Sequence, residues 1–166
     1  MEPRRHLASE TGLYKYEVFE ILLDYEIARI KRYPSPVSLL HMVLAANEYP
    51  GELEEQARQA LTGLLNRSLR VSDVPCQYQN EYLILLPATD EAGGRAVAER
   101  LLASFRTTQS VTIDRRSRRQ NAYLGLTSHS GGGLLTAQQL LAEAAVAMNY
   151  ARQEKSYTYI AYPDIA

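Results

Sequence analysis

The densest group of chemically capable side chains in this sequence is a run of arginines, Arg115-Arg116-Ser117-Arg118-Arg119. Four guanidinium groups in five residues could bind phosphate, because each offers charge-assisted hydrogen bonds to anionic oxygens. No other basic cluster extends the run, and a short charged stretch is also typical of a solvated turn. The pattern therefore favours a hairpin turn over a phosphate site.

A single histidine, His41, lies inside the apolar stretch Val37–Ala46, VSLLHMVLAA. Histidine can ligate a metal ion or transfer protons near neutral pH. A lone histidine among aliphatic residues is more often a core residue whose ring nitrogens have partners. We predict that structural role for His41.

Residues 70–87, RVSDVPCQYQNEYLILLP, indicate a different kind of site. Two short apolar runs are joined by a polar tip at Gln79-Asn80. The second run is continuous rather than alternating, which predicts a central strand buried on both faces. A hairpin whose return strand crosses a core holds its side chains in fixed positions, so we expect any chemistry of a small α/β domain here.

This stretch resembles the signature hairpin of the GGDEF family, the diguanylate cyclases. In that family RxxD and three residues precede Arg-Tyr, GG(D/E)EF and an apolar strand ending in Pro. The RxxD is intact here as Arg70-Val71-Ser72-Asp73, whereas the hairpin has become Gln79-Asn80-Glu81-Tyr82. Both glycines are gone, one residue is missing, and Asn80 stands where the family places an acid.

The resemblance extends from about Ala8 to Ala161. Thr11-Gly12-Leu13-Tyr14 is similar to the TGLY entry of the family, and Ala98-Glu99-Arg100 matches its AER. The first strand of the family reads LLxxDxDxFKxxND, with both aspartates binding magnesium. On that pattern Val43 and Ala45 occupy the two aspartate positions. Near the C-terminus, Ser156 replaces an arginine of the family's last motif.

The resemblance implies a reaction in which two GTP molecules are joined across a dimer. Phosphoryl transfer of this kind depends on positioning and on metal electrostatics, and magnesium requires hard oxygen ligands. The side chains of Val43 and Ala45 provide none, and Glu81 alone remains of the expected carboxylates. We therefore predict an inactive domain with no catalytic residues, no bound metal and no cofactor.

The resemblance gives the RxxD motif another role, because in many GGDEF domains it is the product-inhibition site that binds cyclic di-GMP. Arg70 and Asp73 match the motif, and Arg100 matches an arginine that some members contribute from the following helix. An arginine can pair with guanine O6 and N7 or stack on the base. We predict a cyclic di-GMP receptor that acts on a protein partner. The alternative is a surface salt bridge between Arg70 and Asp73, with Arg100 solvated.

A second hypothesis is a nucleotide-independent protein-interaction or dimerisation module on the same scaffold. The 12 tyrosines of the chain suit an interface, and a homodimer would be one form of it. A third hypothesis, in which the altered hairpin binds GTP or another nucleotide without turnover, also stays open.

Composition describes an ordinary globular chain of 166 residues, 46% hydrophobic and 22% charged, with a net charge of −1. The near-neutral charge gives no reason to expect nucleic acid or membrane as a partner. Cys76 is the only cysteine, which excludes an internal disulfide and suits the cytosol. We find no signal core or membrane-spanning run and predict a cytoplasmic protein.

The spacing of apolar residues along the chain predicts the helices and strands that would position these residues. Helices are predicted over residues 14–33, 52–68, about 90–105 and from Thr136 onward. Strands are predicted at 37–46, on both arms of the hairpin, at 110–114 and 121–128, and at the C-terminal YTYIAY. Gly93-Gly94 lowers helix propensity and predicts an irregular turn. The expected fold is α/β (α+β), with a mostly antiparallel five- to six-stranded sheet and four to five helices over residues 11–166, after a flexible segment 1–10.

Overall fold

The computed structural model of the chain describes residues 13–46, 59, 62–78, 81–107, 110–113, 116–155 and 158–166. The predicted flexible segment 1–10 lies outside them. In chain order the elements are β1 (Tyr14–Lys15), α1 (Tyr16–Arg32), β2 (Val37–Ala46), α2 (62–68), β3 (Val74–Tyr78), β4 (Glu81–Pro87), α3 (Glu91–Thr107), β5 (Ser110–Ile113), β6 (Arg116–His129), α4 (Ala137–Ala151), β7 (Thr158–Ala161) and a short 3-10 helix (Tyr162–Asp164).

The strands form a sheet in which β2 is central. The order is β1-β3-β4-β2-β6, and both β5 and β7 pair with β6. The β1–β3 and β6–β7 pairings are parallel, whereas the pairings among β2, β3, β4, β5 and β6 are antiparallel. The predicted α/β fold with a mostly antiparallel sheet flanked by helices is confirmed.

Helices cover both faces of the sheet. One hydrophobic core lies under α2 and α3 and the other under α1 and α4. Because alternate residues of a strand point to opposite faces, Leu40 of β2 joins the first core and Leu39 joins the second. Strand β4 is likewise buried from Tyr82 to Pro87, as its continuous apolar run predicts.

Helix α4 lies unusually close to β6. A methyl group at Gly125 would come within 2.2 Å of the backbone nitrogen of Met148 and 2.3 Å of the carbonyl oxygen of Ala144. Only glycine permits this approach. Thr136 caps the helix as predicted, accepting the amide hydrogen of Gln139 at 3.0 Å.

The β5–β6 hairpin differs from its prediction. Strand β6 begins at Arg116, so Arg116, Arg118 and Arg119 lie in a strand that pairs with β5 and not in a turn. The segment predicted to pair with β5, residues 121–128, pairs with β2. Pairing with neighbouring strands outweighs the weak strand preference of these polar residues.

The start of α1 and the first turn of α3 also differ from prediction. Tyr14 and Lys15 pair in parallel with Cys76 and Gln77 of β3, so α1 begins only at Tyr16. Helix α3 is regular through its glycine pair, and Asp90 caps it. A methyl group at Gly94 would lie 2.9 Å from the Leu126 side chain. The glycine therefore lets α3 approach the sheet, which offsets its low helix propensity.

Candidate functional site

The RxxD residues close a turn between α2 and β3. The Asp73 amide donates to the Arg70 carbonyl oxygen at 3.0 Å. In return, the Asp73 carboxylate accepts the Arg70 amide hydrogen at 2.8 Å and a hydrogen from Arg70 Nη2 at 3.1 Å. The Arg70–Asp73 salt bridge considered as the alternative to a ligand site is therefore present within one tight turn, with its carboxylate buried and not at the surface.

The Arg70 guanidinium is also held by the segment that follows β4. Its Nη2 donates to the Pro87 carbonyl oxygen and to Thr89 Oγ1, each at 2.7 Å. The Arg70 side chain is still 53% exposed, whereas the Asp73 side chain is only 2% exposed. Arg70 thus remains accessible to solvent, whereas Asp73 is buried beneath it.

A pocket of about 440 Å³ brings the three predicted binding residues together. Arg70, Asp73 and Arg100 all contribute to its wall, together with Thr89 and Asp90. Arg100 projects from α3, and its Nη2 donates to the carbonyl oxygen of Ser68 at 2.8 Å. Two arginines and two aspartates contribute to this lining, so its charged side chains carry no net positive charge.

The hairpin residues occupy different environments. Gln79 and Asn80 lie outside the described residues. Glu81 opens β4 with a side chain 37% exposed, whereas Tyr82 is buried in the core under α2 and α3. On the neighbouring strand Val43 lies directly across from Glu81 and is 3% exposed.

Ala45 follows on β2 and pairs with Asn121 of β6. The register therefore places the hydrocarbon side chain of Val43 next to the carboxylate of Glu81. Over the described part of the chain, no three His, Cys, Asp or Glu side chains gather closely enough to hold a metal ion.

A family model described as diguanylate cyclase, GGDEF domain, matches residues 9–158. The chain belongs to the GGDEF family. Solved structures agree with this fold. The GGDEF domain of DgcB from Caulobacter crescentus, in complex with c-di-GMP, aligns with a TM-score of 0.84 at 10% identity, over 95% of this chain and 96% of that one.

Two structures from Pseudomonas aeruginosa are similar at higher identity. Diguanylate cyclase SiaD, in complex with its activator SiaC, aligns with a TM-score of 0.77 at 21% identity, over 91% of this chain and 59% of that one. The GGDEF domain of FimX aligns with a TM-score of 0.73 at 20% identity, over 88% and 93%. Among proteins of curated function, none matches the chain significantly.

In this GGDEF domain a histidine stands beside the remaining hairpin carboxylate. His41 Nε2 lies 3.1 Å from Glu81 Oε2, but without the alignment of a hydrogen bond, and both buried ring nitrogens are unsatisfied. The core position predicted for His41 is confirmed, but among the described residues neither ring nitrogen has the hydrogen-bond partner that was predicted. Burial lowers the pKa of His41, since the loss of solvation outweighs the attraction of Glu81.

The GGDEF scaffold also carries a polar cluster that sequence patterns did not reveal. Glu143 of α4 accepts hydrogen bonds from Thr127 at 2.7 Å and Gln139 at 3.1 Å, and it lies 2.6 Å from His129 Nε2. Burial raises the pKa of Glu143, but these hydrogen bonds outweigh it and leave the pKa below its usual value. These contacts of Glu143 connect α4 to the C-terminal end of β6.

Thr89 is the pocket residue that sequence reasoning missed. Its contact with Arg70 depends on Ala88, which has a φ of +52° and turns the chain after β4. A non-glycine residue in the left-handed region has no reliable sequence pattern. The relation between Thr89 and Arg70 could therefore be found only in three dimensions.

None of the described helices is long and apolar enough to cross a membrane.

Proposed function

We propose that this GGDEF domain is a cyclic di-GMP receptor without cyclase activity, with Arg70, Asp73 and Arg100 as its binding residues. One observation carries the proposal: residues from two separate elements line the same pocket, and both arginines are exposed in it. The GGDEF domain of DgcB, which shares the fold, was solved with c-di-GMP. That complex supports cyclic di-GMP as the ligand proposed for this domain.

The chemistry of the pocket suits a cyclic dinucleotide, which carries two bases and two phosphates. A guanidinium group such as that of Arg70 can pair with the edge of a guanine or stack on it. Arg100 can form charge-assisted hydrogen bonds with a phosphate, at the expense of its bond to the Ser68 carbonyl oxygen. Asp73 becomes available to the guanine edge only if its bonds with Arg70 open.

The proposed absence of cyclase activity is supported by the surroundings of Glu81. Val43 places hydrocarbon across from this carboxylate, and the neighbouring buried His41 supplies no oxygen ligand. A single carboxylate is a poor basis for binding two magnesium ions and a triphosphate. Incubation with GTP and magnesium, followed by chromatography, tests this: cyclic di-GMP in the product would contradict it.

Calorimetric titration of cyclic di-GMP tests the receptor function. We expect a dissociation constant in the micromolar range or tighter for the wild type and at least about tenfold weaker binding for Arg70→Ala, since a charged hydrogen-bonding group is lost. Arg106→Ala, which removes an arginine of α3 outside the pocket lining, should bind like the wild type. No heat and no thermal shift with excess ligand would end the proposal.

A second candidate function, a protein-interaction or dimerisation module, is favoured by the outer face of α1. Ile21 and Tyr25 are one turn apart and are 67% and 70% exposed. SiaD, a structural relative, was solved with its activator protein. If this face forms a dimer, light scattering should detect it in the wild type and in Arg70→Ala but not in Ile21→Glu. A monomer at all concentrations would exclude the homodimer.

The altered hairpin could also bind GTP without turnover. Titration of GTP with and without a chelator separates this case from the receptor site. Binding that requires magnesium and survives Arg70→Ala would place a nucleotide at the hairpin and contradict the proposed loss of the metal site.

A further inference from the structure

The Arg70 guanidinium is anchored in the pocket mainly through one of its nitrogens. The two shortest bonds from Nη2, to Pro87 and Thr89, match the two hydrogens that this nitrogen carries. The longer contact of Nη2 with Asp73, at 3.1 Å, therefore shares one of these hydrogens. Three neighbouring groups thus fix the position of this nitrogen in the pocket wall.

Thr89 completes the anchor. Its hydroxyl accepts from Arg70 Nη2 and donates to the Pro87 carbonyl oxygen at 3.0 Å, and that oxygen also accepts from Arg70. The three groups form a closed triangle of hydrogen bonds. Because Thr89 is only 8% exposed, water competes little for its hydroxyl.

The segment that carries Thr89 is itself fixed at both backbone polar groups. The Thr89 amide donates to the Pro36 carbonyl oxygen at 3.2 Å, and the Thr89 carbonyl oxygen accepts from Ser38 Oγ at 2.9 Å. Ala88, immediately before it, is held at a φ of +52°. A position in the left-handed region persists only where its surroundings determine it. The position of the Thr89 hydroxyl at the pocket wall is therefore fixed by its surroundings.

We propose that Thr89 is the positioning residue of the ligand site: it holds the Arg70 guanidinium in a fixed orientation at the pocket wall before a ligand arrives. This rests on the proposed function, since the ligand is cyclic di-GMP. An arginine already held in its binding orientation loses less side-chain entropy when the ligand arrives. Thr89 therefore increases affinity without touching the base.

Calorimetry with cyclic di-GMP on four variants tests the role of Thr89. Thr89→Val keeps the shape and removes the hydroxyl, and we expect binding about threefold to tenfold weaker, the factor for one hydrogen bond. Thr89→Ser should bind within about twofold of the wild type, because the hydroxyl is kept. Adding Thr89→Val to Arg70→Ala should change nothing further, because the effect acts through Arg70. Wild-type affinity in Thr89→Val, or an equal loss in both backgrounds, would overturn the proposal.

Arg70→Lys separates the positioned guanidinium from its charge. Lysine keeps the positive charge and lacks the planar group that Thr89 and Pro87 hold, so its binding should be nearly as weak as that of Arg70→Ala. Wild-type affinity in Arg70→Lys would contradict the positioning role.

NMR of the wild type tests the hydrogen bonds of Arg70 Nη2 directly, so the result does not depend on whether a variant folds. Rotation about the Arg70 Cζ–Nη2 bond should be slow in the free protein, with separate signals for the Nη2 hydrogens. Rapid averaging of these two signals would show that Nη2 is not anchored and would overturn the proposal.

If the wild type gives no heat with cyclic di-GMP, the proposed function fails and the positioning role with it. That outcome is distinct from a wild type that binds and a Thr89→Val variant that binds equally well.

Discussion

The carboxylate of Asp73 lies beneath Arg70 and accepts two hydrogen bonds from it, one from the backbone amide at 2.8 Å and one from Nη2 at 3.1 Å. A residue with both carboxylate oxygens engaged inside its own turn stabilises the fold, whatever it does for a ligand. The RxxD motif thus stabilises the turn between α2 and β3 and is also a candidate ligand-binding motif. Experiments can separate its contribution to stability from its contribution to binding.

Asp73→Ala should lower the free energy of unfolding by about 1–3 kcal/mol, because it leaves the Arg70 amide without its acceptor and empties a buried position. Urea denaturation followed by circular dichroism measures this. Glu91→Ala is the control: it removes a carboxylate whose bridge to Arg95 lies at the surface, so we expect a change of no more than about 1 kcal/mol. Equal losses in the two variants would show that Asp73 has no special structural role.

The burial of His41 predicts a pH-dependent stability. Its pKa is lowered in the folded protein by desolvation, so the unfolded chain binds the proton more readily than the folded chain does. Stability is therefore complete above the ordinary histidine pKa of about 6.5 and is lost as the pH falls from there through the lowered folded value. The loss can reach about 1.4 kcal/mol per pH unit within that window.

Urea denaturation at pH 7.5 and pH 5.5 measures this loss, and His41→Leu is the matched variant. Leucine fills a similar apolar position and cannot take up a proton, so the difference in stability between the two pH values should shrink. An unchanged difference in His41→Leu would assign the acid sensitivity to other groups.

Much of the fold could be predicted from the sequence where local pattern and tertiary contacts agree. The continuous apolar run of β4 is buried on both faces, as expected for a strand between two helical layers. Strand β2 has the predicted bounds, and Thr136 caps α4. At the site, the sequence motif selected Arg70, Asp73 and Arg100, and the structure places all three in the lining of one pocket.

The rest depends on contacts between segments that are distant in the chain. The arginines of β6 are in a strand because β5 pairs with them, which their polar side chains do not indicate. Thr89 meets Arg70 only because Ala88 turns the chain with a positive φ. The unsatisfied ring of His41 could not be anticipated, since a lone histidine in an apolar strand usually has partners.

The single cysteine provides a direct probe of unfolding. Cys76 is fully buried on β3, and burial raises the pKa of its thiol to about 12 from the reference value of 9.0. A shift of that size lowers the thiolate fraction at pH 8 by about a thousandfold. Labelling with a thiol reagent should therefore be very slow in buffer and fast in concentrated urea.

A relocated cysteine gives the control for this labelling. In Cys76→Ser/Ser130→Cys the thiol moves to an exposed position at the end of β6, where labelling should be fast in buffer as well. Rapid labelling of the wild type without denaturant would mean that β3 opens readily.

The contact between α4 and β6 gives the largest expected effect on stability. In Gly125→Ala the new methyl group would overlap the Met148 nitrogen and the Ala144 carbonyl oxygen, at 2.2 and 2.3 Å. Both are backbone atoms, so the whole helix must move away from the sheet, and we expect a loss of about 3 kcal/mol or more. Gly133→Ala is the control, because its Cβ has no atom within 4 Å and only its φ of +64° is unfavourable. That strain is worth about 1–2 kcal/mol, so thermal melting should show a much larger fall for Gly125→Ala, whereas equal falls would mean that α4 does not pack tightly on β6.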